Sequence, residues 1–232
     1  MTGKEIIVSS QKLNKTGQVL AITRNRAGQS GNVPHLSLET IQGLVDSAYK
    51  EGKGHFKTRD RLLIMIMFDA ALRCSETIRL RPSDFRQEKS GRWFVTIMGK
   101  GRKYREAAIS TSVVTEMSHY AYQEQLKPGD FLFPINRIRV FQIMTRAFDA
   151  ACIPRPSRDR ERVGRVHIIR HSGLVARQHE THDTRATQQQ GGHSSPEMAL
   201  RYQKTVDNQE SLAINQRVEF DYKSPPAESE DV

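Results

Sequence analysis

From Leu62 to Leu72 the chain is apolar at every position except Asp69. Thr58 stands just upstream as a candidate helix cap, so the segment reads as a helix that is hydrophobic on most of its faces. Such a helix has no side to present to water and belongs in the middle of the molecule, with other elements packed around it. Its longest apolar run, Leu62 to Phe68, is far shorter than the roughly 20 residues that a bilayer-spanning helix needs. Arg73 follows the run directly, where an idle charge would be costly to bury. A guanidinium in that place is a candidate for chemistry.

The elements that would surround this helix can be read from their own patterns. Ser37 caps a helix whose Leu38, Ile41, Leu44 and Val45 keep helical spacing to about Tyr49, with Glu39 in its first turn and Gly52 and Gly54 breaking it. Ser75 to Arg79 fits a short helix ended by Pro82. Trp93 to Met98, a glycine-containing turn over 99–103, and Tyr104 to Ile109 form a β-hairpin pattern. Helices fit Ser112–Gln125, Val140–Ala151, Arg170–His179 and Pro196–Tyr202, and a last amphipathic helix fits Asp207–Val218, with Leu212, Ala213 and Ile214 on its apolar side. The expected fold class is α+β, mainly α-helical with a small antiparallel sheet. Residues 1–34 read as a flexible arm with one short strand at Ile6–Val8. Residues 35–205 read as one globular domain, 206–220 as a C-terminal helix that either docks on a neighbouring copy or packs in cis, and 221–232 as a disordered acidic tail.

Charge narrows the partner. The chain of 232 residues carries a net charge of +10 and an isoelectric point near 9.8. That balance favours a polyanion, either nucleic acid or an anionic membrane surface. The loop over 154–165 is dense in arginine (Arg155, Arg158, Arg160, Arg162 and Arg165), which fits either a solvated surface or a track along a phosphate backbone. With 37% hydrophobic residues and a mean hydropathy of −0.61, the chain is expected to be soluble. Residues 1–20 lack the apolar stretch of a secretory signal, and Cys74 and Cys152 make no disulfide framework, so a cytoplasmic location without membrane association is expected.

Four segments then stand in order: ALRCSETIRL, MGKGRKYREAAIS, HIIRHS and GGHSSPEMALRY. They resemble the boxes of the tyrosine recombinase (phage integrase, Xer-like) catalytic domain. These are the first-arginine box G-L-R-x-S-E-L, the hairpin lysine box G-K-G-x-K-x-R, the H-x-L-R-H box, and L-G-H-x-S followed by the nucleophilic tyrosine. The resemblance covers roughly residues 35–205, and the intervals from Arg170 to His193 and from His193 to Tyr202 are usual for the family.

The resemblance implies transfer of a DNA phosphodiester to Tyr202 through a 3′-phosphotyrosyl intermediate, with no metal, cofactor or ATP. Arg73 and Arg170 would clamp the phosphate, since guanidinium stays charged and presents paired donors. Lys100 would be the general acid for the leaving oxygen, with Lys103 on the same turn as its competitor. His167 and His193 would hydrogen-bond the phosphate, and His167 could take the tyrosine proton. Glu76 would orient Arg73 or His167 from behind, or be a first-turn acid only. The partners implied are double-stranded DNA and further copies of the chain, as a tetramer in synapsis. A metal reading of His167, His171 and His193 is disfavoured because no acidic cluster or ligand-spaced cysteine accompanies them. His171 is expected to support the fold.

Two departures from the family pattern stand out. Only residues 1–34 precede the domain, where the family generally has a DNA-clamping domain of roughly ~80–100 residues. The chain is therefore either a compact form, similar in size to fimbrial phase-variation invertases, or a shortened one. In ATQQQGGH, Gln190 and Gly191 replace the usual aliphatic residues, which predicts a loose segment, mobile without DNA or covered by a neighbouring subunit. The alternatives to strand exchange are a type IB topoisomerase activity and a non-catalytic DNA-binding regulator.

Overall fold

A computed structural model describes residues 33–99, 104–153 and 164–215. Within these, the helices are α1 (Leu38–Glu51), α2 (Phe56–Asp69), α3 (Cys74–Thr77), α4 (Thr111–Gln123), α5 (Arg137–Ala150), α6 (Arg165–Thr181), α7 (Thr184–Gly191) and α8 (Pro196–Asn215). The strands are β1 (Phe85–Gln87), β2 (Trp93–Met98) and β3 (Tyr104–Ile109), antiparallel in the order β1-β2-β3. The α+β class is as expected. The strand at 6–8, Lys100 and Lys103 on the hairpin turn, Arg155, Arg158, Arg160 and Arg162, and the tail all lie outside the described residues.

The apolar run forms α2 and lies at the centre. Leu62, Leu63, Ile64, Ile66 and Met67 are fully buried, and α1, α4 and α6 pack around the helix. It begins at Phe56 and not at Thr58, and His55 gives it no side-chain cap. In α1 the Ser37 hydroxyl accepts from the Thr40 amide, as an N-cap should. Where α6 crosses α2 the backbones nearly touch, because a side chain on Gly173 would collide with the Phe68 carbonyl. In the hairpin, Val95 pairs with Ala107, Trp93 with Ile109 and Ile97 with Arg105. Val95, Ile97, Ala107 and Ile109 are buried, so the sheet's inner face follows the two-residue period of the strands.

Several elements differ from their expected form, each for a physical reason. α6 starts at Arg165, so the His167 segment is helical throughout. Arg165 is buried as well: its Nη2 lies 3.1 Å from Asp149 Oδ1 and its guanidinium sits over the Phe148 ring. It closes the joint between α5 and α6, contrary to the expectation of a DNA-facing surface residue. The segments 196–202 and 207–218 are not separate helices, because α8 runs unbroken to Asn215.

α7 occupies what was expected to be a loose stretch. Its Asp183 cap accepts from the amides of Arg185 and Ala186. Gln190 is buried; its Oε1 accepts from the Ala108 amide at 2.9 Å and its Nε2 donates to the Ala108 carbonyl at 2.9 Å. A side-chain amide thus pairs with the open edge of β3 as a neighbouring strand would, and the polar residue anchors the helix.

A second, smaller apolar cluster lies beside the main core. It joins Val33, Ala71, Leu174, Val175 and Val206 around the ring of Tyr202.

Candidate active site

The turn that ends α2 puts Arg73 at the head of α3. Ala71 takes a left-handed conformation (φ 51°), and the chain then enters a one-turn helix. The Glu76 carboxylate folds back on this turn, accepting from the Arg73 amide at 2.8 Å through Oε2 and from Arg73 Nη1 at 2.8 Å through Oε1. Of the two orienting roles weighed for Glu76, Arg73 is thus the partner it bonds. Glu76 is buried, whereas the Arg73 side chain is 43% exposed, so a buried anion steers a cation that faces outward.

Arg170 comes from the buried side of α6. It donates to the backbone carbonyls of Ala71 and Gly191, and its Nη2 lies 3.1 Å from His193 Nε2. Its Nη1 is 3.8 Å from Glu76 Oε2. Burial, then the charge of Arg73, pull its pKa down to about 10, which still leaves it charged at neutral pH. Because Arg170 donates to Nε2, the neutral His193 ring carries its proton on Nδ1. That nitrogen is buried and has no hydrogen-bond partner among the described residues. Burial and the arginines lower the His193 pKa to about 4.

Tyr202, on α8, is 1% exposed and stacks on His193, with centroids 5.7 Å apart and planes 3° from parallel. Its hydroxyl lies 2.7 Å from His171 Nδ1. Burial raises the phenol pKa to about 12, and burial, then His167, lower that of His171 to about 3. The His167 pKa is lowered too, by burial and then Arg170. Arg73, His167, Arg170, His171, His193 and Tyr202 all line one cavity of about 270 Å³. A small, strongly cationic hollow with a phenol in its wall can receive a tetrahedral anion and offer it a nucleophile.

The structure therefore brings Arg73, His167, Arg170, His193 and Tyr202 to one place, with Glu76 immediately behind. Two residues with no expected part in the site belong to its frame. His171, read as fold support, bonds the Tyr202 hydroxyl. Arg105, opposite Ile97 on the inner face of the hairpin, donates from Nη2 to Glu76 Oε2 at 3.0 Å, and its Nη1 is buried without a partner among the described residues. It also fills the space over Gly192, whose left-handed backbone (φ 61°) and missing side chain allow the approach. Alternation along β3 from Ala107 and Ile109 was a signal for Arg105. For His171 the signal was its four-residue offset from His167, which puts both on one helix face.

The sequence profile described as the phage integrase family matches residues 35–209. Over 171 residues the chain is 27% identical to tyrosine recombinase XerH of Helicobacter pylori, covering 69% of this chain and 45% of that protein. It is 24% identical over 185 residues to tyrosine recombinase XerC of Caldanaerobacter subterraneus subsp. tengcongensis, covering 78% of this chain and 50% of that one. It thus spans about half the length of these relatives. The fold matches XerH bound to palindromic difH substrate in a post-cleavage complex, with TM-score 0.66 and 23% identity, over 88% of this chain and 61% of that chain. It also matches the catalytic domain of bacteriophage HP1 integrase, with TM-score 0.56 and 18% identity, over 79% of this chain and 94% of that domain.

Proposed function

The chain belongs to the phage integrase family, and we propose that it is a site-specific DNA recombinase that breaks and rejoins DNA through a 3′-phosphotyrosine at Tyr202. The single observation that carries this reading is the Tyr202 hydroxyl set in the wall of a cavity formed with Arg73, His167, Arg170 and His193.

In the proposed reaction a backbone phosphate enters the cavity and its non-bridging oxygens meet the two guanidinium groups. Arg73 supplies exposed donors. Arg170, tied to two carbonyls and His193, supplies a fixed positive charge that needs no reorganisation as the phosphorus is attacked. The unpartnered Nδ1–H of His193 is a donor in want of an acceptor, which a phosphate oxygen would provide. Lys100 or Lys103 delivers a proton to the departing 5′ oxygen. Energy stays in the tyrosyl ester, so rejoining needs no ATP, and guanidinium and imidazole supply the charge that a metal would otherwise bring.

The partner is double-stranded DNA. The net charge of +10 favours it, and XerH, which shares the fold, is described bound to its difH substrate. Strand exchange cuts four strands in all, and each chain carries one Tyr202, so the working unit is a tetramer on two sites.

A nicked suicide duplex tests the reading in the presence of EDTA. Wild type should leave a denaturation-resistant adduct on the 3′ side, and Tyr202→Phe should leave none while still binding the duplex. An adduct that persists in Tyr202→Phe would move the nucleophile elsewhere. Relaxation of supercoiled DNA without exchange between two marked duplexes would make the chain a topoisomerase.

A further inference from the structure

We infer that His171, and not His167, takes the phenolic proton of Tyr202 when the phosphodiester is attacked. This rests on the recombinase reading above and assigns a group to a step that reading leaves open. Geometry separates the two imidazoles. His171 Nδ1 is 2.7 Å from the Tyr202 hydroxyl, within direct proton-transfer distance. His167 stands edge-on to His171 with ring centroids 6.5 Å apart, and among the described residues it is His171 that hydrogen-bonds the Tyr202 hydroxyl.

The surroundings set the protonation state of the ring before and after substrate binds. The groups acting on His171 are His167 and Arg170 from its own helix, His193 from the turn after α7, and Arg201 and Tyr202 from α8. With cations around it and little water, the ring is neutral at physiological pH, and in the tautomer protonated on Nε2 its Nδ1 lone pair faces the phenol. Burial holds the phenol itself protonated, so attack without a base would be slow. A bound phosphate adds negative charge beside Arg73 and Arg170 and offsets the cations that depress the imidazole. His171 therefore gains proton affinity when substrate is present. In the resting protein the nucleophile is held neutral, and binding of the phosphate arms it.

The step balances. The bond from Tyr202 Oη to phosphorus forms and its proton passes to His171 Nδ1. The bond from phosphorus to the 5′ oxygen breaks, and that oxygen takes a proton from the hairpin lysine. On rejoining, the 5′ oxygen attacks phosphorus and gives its proton back to the hairpin lysine, the bond from phosphorus to Tyr202 Oη breaks, and His171 returns its proton to the leaving phenolate.

Single-turnover cleavage of the nicked suicide duplex gives the test, with DNA affinity and thermal melting measured on the same preparations. His171→Ala should cleave about 10²–10⁴-fold more slowly, the usual range for loss of a general base, with duplex affinity changed no more than a few-fold. Added imidazole should restore part of the rate, and substituted imidazoles should do so in the order of their basicity. His167→Ala should show no such dependence. If His171→Ala does not fold, His171→Asn, which keeps a polar group of similar size, should show the same loss of rate. A folded His171 variant that cleaves within about threefold of wild type would overturn the assignment. Rescue that is indifferent to the basicity of the added imidazole would also overturn it, because His171 would then only fill space. Absence of any Tyr202 adduct in wild type would sink the recombinase reading and this inference together, whereas wild-type adduct with a fully active His171 variant would sink this inference alone.

Discussion

Arg170 and Tyr202 face the same cavity but rest on different kinds of packing. Arg170 leaves α6 where that helix lies on α2, whose central side chains are entirely excluded from water. Tyr202 sits on α8, which reaches the rest of the molecule through the small cluster of Val33, Ala71, Leu174, Val175 and Val206 and through polar ties. The Thr205 hydroxyl accepts from the Val33 amide at 2.9 Å, Thr184 donates to Gln203 at 2.7 Å and Thr187 to Gln178 at 2.8 Å, while Gln190 pairs with β3. A neutral hydrogen bond nets about 0.5–1.5 kcal/mol, against about 1.5–3 kcal/mol for burying a large aliphatic side chain. The proposed phosphate clamp is therefore built on the stiff part of the molecule, and the proposed nucleophile on a layer that can reposition without global unfolding.

The arginine pair should give the largest effects and the sharpest contrast. Arg170→Ala and Arg73→Ala should each slow cleavage by about 10²–10³-fold or more, with much smaller losses in DNA binding. Only Arg170→Ala should also destabilise the fold, by about 3–5 kcal/mol, because it strips donors from two backbone carbonyls and removes a buried charge beside Glu76. Arg73→Ala, whose side chain is 43% exposed, should melt close to wild type. Equal melting losses would erase the distinction between a fixed and an outward-facing guanidinium, and equal losses in binding and cleavage would reduce both to backbone anchors.

Next come two substitutions that separate the layers. Leu63→Ala, at a fully buried site on α2, should cost about 2–5 kcal/mol and speed amide exchange everywhere, since it weakens the unit whose opening is global unfolding. Gln190→Ala leaves the Ala108 amide without its Gln190 acceptor, while the Ala108 carbonyl keeps Arg177 Nη2 at 3.2 Å, and should cost about 1–3 kcal/mol. Its exchange should quicken in α7 and α8 while α2 stays protected. Exchange that rises uniformly in Gln190→Ala would mean that core and terminal layer are one cooperative unit.

The same contrast explains which features could be read from the sequence. Where apolar side chains set the structure, the pattern was visible: the solid apolar run of α2, and the alternation of Val95 and Ile97 against Ala107 and Ile109 that gave both strands with their observed limits. Where polar groups do the packing, it was not. Nothing in ATQQQG has an apolar period, yet α7 forms because Asp183 caps it and Gln190 serves as a strand partner. The polar run after Val206 reads as a break in α8. The helix continues because Ala199, Tyr202 and Val206 share a buried face and helix-compatible residues follow. Arg73, His167, Arg170, His193 and Tyr202 were legible through their boxes, but a hydrogen bond from α8 back to His171 depends on tertiary placement that no spacing encodes.

The smallest effect, and the most diagnostic of the layering, is expected from acid. Four histidines have pKa values below the ordinary 6.5, and three of them, His35, His171 and His193, bear directly on the α8 side. His171 and His193 sit at about 3 and about 4 in contact with Tyr202, while the buried His35 bonds the Val33 carbonyl and lies 3.2 Å from Gln209 of α8. Each takes up its proton more readily in the unfolded chain, so below pH 6.5 the unfolded state binds more protons and stability falls. Their contribution is fully present above pH 6.5 and is lost progressively as the pH drops toward 4 and then 3. Melting temperature should decline by several degrees from pH 7 to pH 5, and amides of α8 should lose protection before those of α2, because the titrating rings touch the terminal layer. His171→Asn should flatten part of that decline. If α2 and α8 lose protection together on acidification, the layer that carries Tyr202 is no weaker than the core, and repositioning of Tyr202 would have to come from outside the fold.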